Sequence, residues 1–259
     1  MAPLLSLVVP VHDELDNLEP LYERIVEALE GRTWELLLVD DGSTDGSDAR
    51  IRELAARDPR VRGVYFARNA GQTAAIAAGF ERASGRLVAT LDADLQNDPD
   101  DLPAMLDALG DHDAVVGWRR ERRDTWKRRV SSRIANRIRD AVTGDAVRDT
   151  GCSLKLFRAE ALADLPLFEG MHRFLPTLLR QAGLDVIELP VSHHPRAAGV
   201  SKYGLRNRAW RALQDLLAVR WMGQRRLRYE VLDEGDPVVE LRPRGAVSEG
   251  ERRVPVEGR

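Results

Sequence analysis

The sequence predicts an α/β fold, a mostly parallel sheet flanked by helices, followed by a C-terminal amphipathic helix and a flexible tail. Three observations predict it. Through the first hundred or so residues, short apolar runs alternate with segments of helical periodicity, which is the pattern of βαβ units. Three of those runs break abruptly into polar residues, at Pro10–Glu14, at Asp40-Asp41 and at Asp92–Asp94. The chain has 259 residues, 43% hydrophobic and 31% charged. That is enough for one large domain with a core, and it rules out wholesale disorder.

Element by element, Leu4–Val9 is a continuous apolar run stopped by Pro10, as expected of a strand buried on both faces. Leu15–Leu29 carries Leu15, Leu18, Leu21, Tyr22, Ile25, Val26 and Leu29 at helical spacing. Glu35–Val39 is a second strand, Ser47–Arg57 a helix and Val61–Phe66 a third strand. Ala70–Ala83 is a helix of small residues able to approach a sheet closely. Leu87–Leu91 is a strand, Pro99–Leu109 a helix and Ala114–Val116 a strand. Beyond residue 117 the pattern changes. The Arg-rich stretch to about 140 has helical spacing at Val130, Ile134 and Ile138. Ser153–Phe157 and Asp185–Val191 are strands, and Arg158–Leu165 and Arg173–Ala182 short helices. Gly204–Met222 is an amphipathic helix with Leu205, Ala209, Leu213, Leu217 and Trp221 at four-residue steps. The polar remainder, 229–259, reads as a mobile tail.

Composition narrows the function classes. A single cysteine, Cys152, excludes a disulfide framework and any Cys-based zinc site, and it is most simply a packing residue. The N-terminus lacks a basic leader region and reads as a strand, and no apolar run approaches the roughly 18 residues of a membrane-spanning helix. A cytoplasmic protein is the expectation. The net charge of −3 conceals segregation: residues 118–139 hold ten Lys/Arg against two acids, and 201–228 hold eight against one. Such clustering suits an anionic partner, which composition leaves open among nucleic acid, a phosphorylated substrate and anionic lipid. The basic stretch lacks the interleaved aromatics of a base-stacking platform, so nucleic acid is not expected.

The chemistry-bearing residues lie where strands end. In an open parallel sheet, ligands bind beyond the carboxyl ends of the strands. Asp92-Ala93-Asp94 follows one strand directly, and two carboxylates there suit a hard divalent cation that bridges to phosphates. Gln96 can add an amide oxygen. A lone Asp-x-Asp is equally an acidic solvated turn. Asp40-Asp41-Gly42-Ser43-Thr44-Asp45-Gly46 ends another strand, where a carboxylate can accept from a base N–H or a ribose hydroxyl, or serve an ordinary βα loop with a helix cap. Pro10, His12 and Glu14 end the first strand at the same edge. The convergence of three loops favours a ligand site. No Gly-x-Gly-x-x-Gly is present, which argues against a nicotinamide enzyme.

Four segments together, Val8–Glu14, Val39–Asp45, Asn69-Ala70-Gly71-Gln72 and Leu91–Pro99, resemble the family-2 glycosyltransferases of GT-A (Rossmann-like) fold. The Asp-Ala-Asp-Leu-Gln variant followed by Asp98-Pro99 is similar to the branch of dolichyl- and polyprenyl-phosphate mannosyl- and glucosyltransferases. The resemblance runs over roughly residues 4–222. It implies that Pro10, His12, Glu14, Val39 and Asp41 line the base and ribose pocket. It implies also that Asp92, Ala93, Asp94 and Gln96 hold the donor diphosphate through Mg2+ or Mn2+, with Asp94 and Gln96 the chief ligands and Asp92 beside them. Arg119, Arg128 and Ser132 match the positions that bind an acceptor phosphate, a role suited to the planar guanidinium fork. Arg196-Ala197-Ala198-Gly199-Val200-Ser201-Lys202 matches a cationic lid, in which Arg196 and Lys202 close over the diphosphate.

Asp149, in the segment Arg148–Arg158, is an obvious candidate for a catalytic base, but a phosphate acceptor is already ionised and needs none. His193 and His194, adjacent in a strand, point to opposite faces and make a poor metal pair. The last helix either packs its stripe on the domain or lies at an anionic membrane surface.

The expected organisation is a nucleotide-sugar-binding half over 1–117, an acceptor-binding half over 118–203, an interfacial or packing helix over 204–228, and the tail. The expected activity is metal-dependent, inverting transfer of a hexose, mannose over glucose and hence GDP-mannose as donor, to a polyprenyl phosphate. Asp94, Arg119, Arg128 and Lys202 carry the chemistry, at the inner face of a membrane. The rivals are a soluble transferase acting on a hydroxyl acceptor and a non-catalytic nucleotide-sugar or membrane-surface binding protein.

Overall fold

The computed structural model describes residues 3–119, 144, 147–163, 165–195 and 206–225, with side chains of the last helix described from 213 onward. Seven strands form one sheet: β1 (Leu5–Val11), β2 (Trp34–Asp40), β3 (Val61–Tyr65), β4 (Leu87–Thr90), β5 (Ala114–Arg119), β6 (Lys155–Arg158) and β7 (Val186–Val191). Their order is β3-β2-β1-β4-β6-β5-β7, and all neighbours are parallel except β6, which runs against both β4 and β5. The helices are α1 (Leu15–Ala28), α2 (Ser47–Arg57), α3 (Gln72–Arg82), α4 (Leu102–Leu109), α5 (Leu175–Gln181) and α6 (Arg206–Arg225).

The core has a layer on each side of the sheet. On one side, Leu18, Leu21 and Ile25 of α1, Ile51 and Leu54 of α2, and Leu102, Met105 and Leu109 of α4 pack on Leu5, Leu7 and Val9 of β1 and Leu36 and Leu38 of β2. On the other, Leu175, Leu178 and Leu179 of α5 and Leu216 and Val219 of α6 pack on Ala114, Val116 and Phe157. The small-residue helix α3 does approach the sheet closely: a Cβ on Gly79 would stand 2.2 Å from Val8 Cγ1.

Several element boundaries differ from the sequence reading, each for a physical reason. Pro10 does not stop the first strand; β1 continues through Val11, paired with β2 as Pro10↔Val39 and Val11↔Asp40. Pairing with β4 ends at Val8↔Thr90, and the alternation along β1 turns residue 10 toward that vacated side, so the missing N–H costs no ladder bond. Trp118 and Arg119, read as the start of a helix, instead extend β5 against Pro190 and Val191 of β7. Arg158–Leu165 makes only a 3-10 turn, Ala159–Leu162, before Pro166, which disfavours helix at Leu165. Arg173–Ala182 divides into a 3-10 turn, Met171–Arg173, and α5, with Pro176 in its first turn. In α6 the expected stripe faces outward: Leu213, Leu217 and Trp221 are 40%, 53% and 61% exposed, while Leu216 and Val219 carry the packing. The helical reading of 120–140 and the tail reading of 229–259 lie outside the described residues.

Glu35, buried on β2, ties the first three strands to the turn before β4. Its carboxylate accepts from Ser6 Oγ (2.6 Å), from Ser84 N and Oγ (both 2.7 Å) and from Arg62 (2.7 Å). Burial alone pushes its carboxyl up, but the hydrogen bonds from Ser6, Ser84 and Arg62 outweigh that and hold the pKa at about 2, below the ordinary 4.5. A depressed carboxyl contributes stability that is complete above the unfolded value and is lost as pH falls through the folded one. Acid unfolding followed by circular dichroism is therefore expected to draw on Glu35 between about pH 4.5 and pH 2. Glu35→Gln is expected to lower the neutral-pH midpoint and flatten that limb; an unchanged acid limb would refute the assignment.

Candidate active site at the carboxyl edge of the sheet

The loops after β1 and β2 are stitched into one surface. Asp13 N–H donates to Ser43 Oγ (3.0 Å) and Glu14 N–H to Ser47 Oγ (3.1 Å), while Thr44 N–H donates back to Asp13 Oδ1 (2.8 Å). Asp45 accepts from Leu15 N–H and caps α2 through Ser47. Gly42 has φ +68°, and a Cβ there would stand 2.6 Å from the Arg68 carbonyl carbon, so close backbone approach requires glycine. That approach brings the segment Asn69–Gln72 under Asp41, whose two oxygens accept from Ala70 N–H (2.6 Å) and Gly71 N–H (2.9 Å). The second and third sequence motifs are thus one unit. Val39 is fully buried and its side chain offers no surface to a ligand, whereas Pro10, at the end of β1, lines the central cavity. His12 is half-buried beside Asp13, with a buried Nδ1 that has no hydrogen-bond partner.

Asp92 and Asp94 follow β4 at the same edge. Asp94 and Ala93 are buried, and Gln96 N–H donates to Asp94 Oδ1 (3.1 Å). Between them Leu95 adopts φ +59°, a left-handed conformation unusual for a residue with a side chain, of the kind that collects at functional sites. Gln72 Nε2 donates to Asp92 Oδ1 (2.8 Å). Burial, and then the charge of Asp94, push the Asp92 carboxyl above its ordinary value against opposing pulls from Ser153, Lys155 and Arg119. Further along, Asp98 receives Arg24, Asp100 N–H and His194 Nε2 (2.7 Å), and His194 N–H donates to Gln96 O (2.8 Å). His194 thereby locks the acidic loop to the segment that leads toward residues 196–202.

A cavity of about 240 Å³ opens beside Asp92, walled by Pro10, Gln72, Thr150, Lys155, His172 and Arg173 among others. Lys155, at the start of the reversed strand β6, is almost wholly buried, and its ammonium donates to Cys152 O in a short hydrogen bond. Burial pushes its ammonium pKa down, opposed by Cys152, Asp92 and Asp149. His172 Nδ1 lies 2.7 Å from Thr73 Oγ1, and the same hydroxyl oxygen accepts from Gly170 N–H. Burial, then Arg173 and Lys155, push His172 down to about 3, so its ring is neutral at physiological pH. His172, Arg173 and Thr73 carried no signal as site residues in the sequence, and Gln72 and Lys155 lay in quoted segments without being singled out. Only the antiparallel pairing Thr90↔Lys155 and the 170–173 turn bring them beside Asp92.

Arg119 ends β5 and forks onto Asp149, Nε to Oδ2 at 2.6 Å and Nη2 to Oδ1 at 2.9 Å. Asp149 also accepts from Gly151 N–H (3.2 Å). A carboxylate clamped this way orients Arg119 rather than waiting for a proton. Arg128, Ser132, Arg196 and Lys202 lie outside the described residues.

Among the described residues no cluster of three or more His, Cys, Asp or Glu could by itself hold a metal. The donor set present still fits a divalent cation that shares its ligands with a diphosphate. Asp92 and Asp94 are hard oxygen donors at one strand end, and the mutual repulsion that raises Asp92 is what a cation relieves.

Fold and site together define an α/β protein whose polar and acidic loops gather at the carboxyl edge of its sheet. Residues 6–165 match the family Glycosyl transferase family 2, and the chain belongs to that family. It is 44% identical over 225 residues to the dodecaprenyl-phosphate galacturonate synthase of Rhizobium johnstonii, covering 83% of this chain and 66% of that protein. It is 41% identical over 204 residues to the undecaprenyl-phosphate 4-deoxy-4-formamido-L-arabinose transferase of Edwardsiella ictaluri, covering 77% and 63%. The chain thus spans 63–66% of the length of these relatives. In fold it is similar to a mannosyltransferase from Pyrobaculum calidifontis solved with GDP-Man and Mn2+ (TM-score 0.62, 22% identity, 89% of this chain and 66% of that one). It is also similar to glucosyl-3-phosphoglycerate synthase from Mycobacterium tuberculosis with Mn2+ and UDP-glucose (TM-score 0.65, 20% identity, 84% and 79%). The GT-A architecture expected from the sequence is therefore the architecture found.

Asp41→Asn tests the coupling of the first loops. An amide replaces one acceptor oxygen with a donor, leaving Ala70 N–H or Gly71 N–H unpaired at a buried site, at a cost of about 1–3 kcal/mol. The expected outcome is a lowered thermal midpoint together with weakened nucleotide-sugar binding by calorimetry. Wild-type binding would show that the Asn69–Gln72 segment plays no part in the donor site.

Proposed function

We propose that this chain transfers a glycosyl unit from a nucleotide diphosphate sugar to a polyprenyl phosphate. The observation that carries the reading is the treatment of carboxylates at the acceptor side. Asp149 is committed to Arg119, and among the described residues lining the cavity Asp92 is the one carboxylate. His172, held neutral far below its ordinary pKa, is a poor proton acceptor. A hydroxyl acceptor needs a base, whereas a phosphate arrives ionised. The polyprenyl-phosphate acceptors in the names of the two relatives support the same choice.

In this reading Asp92, Asp94 and Gln96 hold Mg2+ or Mn2+, which would take up negative charge on the departing nucleotide diphosphate. The Mn2+ and Mg2+ of the structural neighbours support a metal. Pro10, His12, Glu14, Asp41 and Ala93 shape the nucleotide end, where Val39 contributes backbone and not side chain. Arg119, Arg128 and Ser132 orient the acceptor phosphate for in-line attack at the anomeric carbon, and Arg196 and Lys202 close over the diphosphate. The sugar is a finer matter. Mannose over glucose is the expectation from the branch resemblance, while galacturonate and formamidoarabinose are the sugars in the relatives' names.

Transfer to short polyprenyl phosphate from nucleotide-linked mannose, glucose and galacturonate, with Mg2+ or Mn2+, is expected to give an organic-extractable glycolipid from one donor. EDTA is expected to abolish it, and Asp94→Ala to remove most of kcat. Nucleotide release without lipid product would move the acceptor to a soluble hydroxyl, and full turnover by Asp94→Ala would overturn the metal site.

No helix among the described residues is long and apolar enough to cross a membrane. The outward row Leu213, Leu217 and Trp221 on α6, within a segment of eight Lys/Arg against one acid, supports contact with an anionic bilayer. Sedimentation with phosphatidylglycerol vesicles is expected for the wild type and weakened in Leu217→Ser/Trp221→Ser. Equal sedimentation of the two would remove this contact.

A further inference from the structure

We infer that His172 contacts the transferred sugar, presenting Nε2–H to the cavity beside Asp92 as a donor to one oxygen of the glycosyl unit. Thr73 and Gly170 are its positioning residues. The inference rests on the transfer reading above and deepens it with a residue that none of the sequence motifs contains.

The walls of the cavity say what lies in it. Pro10, Gln72 and Asp92 come from the end of β1, the start of α3 and the end of β4, where that reading puts the nucleotide diphosphate. Thr150 and Gly151 come from the loop after Asp149, and a Cβ on Gly151 would stand 3.2 Å from Arg119 Nη2. A group passed from the diphosphate to an acceptor at Arg119 has to lie between these two sets of residues. His172 joins the same wall from the turn Met171–Arg173.

The tautomer of the ring follows from counting protons. Thr73 Oγ1 accepts from Gly170 N–H at 2.9 Å and stands 2.7 Å from His172 Nδ1. The hydroxyl has one proton of its own, and among the described residues His172 Nδ1 is the one acceptor within its reach. That proton goes to Nδ1, so Nδ1 is bare and the ring's own proton sits on Nε2. Thr73 is off the cavity wall and His172 is on it, so the ring turns Nδ1 toward α3 and its opposite edge toward the cavity. No acceptor among the described residues takes Nε2–H. The relay is built into the backbone, because Gly170 holds φ +91°, where a side chain is strained.

Charge has no part in this contact. Burial, with Arg173 and Lys155 nearby, keeps the ring neutral. A neutral ring with a fixed N–H selects an uncharged oxygen by its position, and leaves the phosphates to the cations of the site. His172 therefore reads where a sugar hydroxyl stands on the ring, which is a matter of stereochemistry.

The experiment uses the full chain with isotope-labelled histidine and Mg2+. The probes are UDP and GDP, set against UDP-glucose, UDP-galacturonate and GDP-mannose. Nitrogen resonances show which ring atom carries the proton, and loss of one signal in His172→Gln assigns His172 among the five histidines. The free protein is expected to have Nε2 protonated and Nδ1 bare. Thr73→Val is expected to mix the two tautomers, and Thr73→Ser to keep the single form. The Nε2–H resonance is expected to move with the nucleotide sugar that binds and to stay in place with the nucleotide alone. Calorimetry with deoxy and deoxyfluoro forms of that donor then locates the contact. Change at one sugar carbon is expected to weaken binding about three- to tenfold, the size of one neutral hydrogen bond. That loss is expected to vanish in His172→Ala and to return in part in His172→Gln.

A free protein with the proton on Nδ1 would overturn the proposal. So would an Nε2 signal that moves equally with nucleotide alone, or deoxy losses that persist in His172→Ala. A sugar-dependent shift with no lipid product would uphold the contact and refute the acceptor reading. Lipid product from a donor that leaves the His172 signal unmoved would do the reverse. A chain that binds none of the three nucleotide sugars would overturn both. Circular dichroism checks each variant, and the wild-type nitrogen spectra decide the matter if His172→Ala does not fold.

Discussion

A parallel sheet sends the carboxyl end of each strand to the same edge, and in this protein that edge gathers acidic residues that are largely out of water. Asp40, Asp41 and Asp94 are each about as buried as the core leucines. Ionised groups in that position have to be hydrogen-bonded, paired or neutralised. Most of the architecture around the site follows from meeting that demand. Asp41 takes two backbone N–H groups and so fixes the loop before α3. Asp45 and Asp13 join the first two βα loops to each other, and Asp98 gathers Arg24 and His194. Asp92 accepts from Gln72 and Asp94 from Gln96 N–H, yet burial and the charge of Asp94 still raise the Asp92 carboxyl, and Lys155, which pulls the other way, is itself resisted by burial.

The reversed strand β6 gives the site its second half. Inserting one antiparallel strand between β4 and β5 places the beginning of β6, rather than its end, at the ligand edge. Lys155 thereby comes level with Thr90, and the Thr150–Ser153 loop lies against Asn97 and the cavity. A uniformly parallel sheet would have placed the opposite end of β6 there. At the end of β5, Arg119 and Asp149 form a pair held on two hydrogen bonds. Arg119 is therefore held in a fixed orientation, and in the proposed reading a guanidinium positioned in advance would lose less freedom on binding a phosphate.

The relatives and the structural neighbours bear on different questions. Relatives at 41–44% identity carry the family and support the lipid-phosphate acceptor, but this chain spans 63–66% of their length. Neighbours at 20–22% identity carry the fold. The relatives' names carry sugars other than mannose, and the mannose expectation rests on the branch resemblance alone.

The sequence by itself determined the alternation of strands and helices, the polar breaks that end β1, β2 and β4, and the family those motifs spell out. These are local properties: an apolar run, a helical period and an Asp-x-Asp are each written within a few consecutive residues. It misplaced the limits of β1 and β5 because Pro10 is tolerated only on account of where β4 ends, and Trp118 and Arg119 are strand only on account of β7. It left the α6 stripe open between packing and an interface, since the four-residue row Leu213, Leu217 and Trp221 and the buried row Leu216 and Val219 both satisfy a helical period, and only the neighbouring α5 selects between them. The tertiary structure alone decided that Asp149 belongs to Arg119, and that Lys155, His172 and Arg173, about 60 to 80 residues from Asp92, wall its cavity. Pairings across such separations depend on sheet order and on which strand runs backward, and no local pattern of residues encodes either.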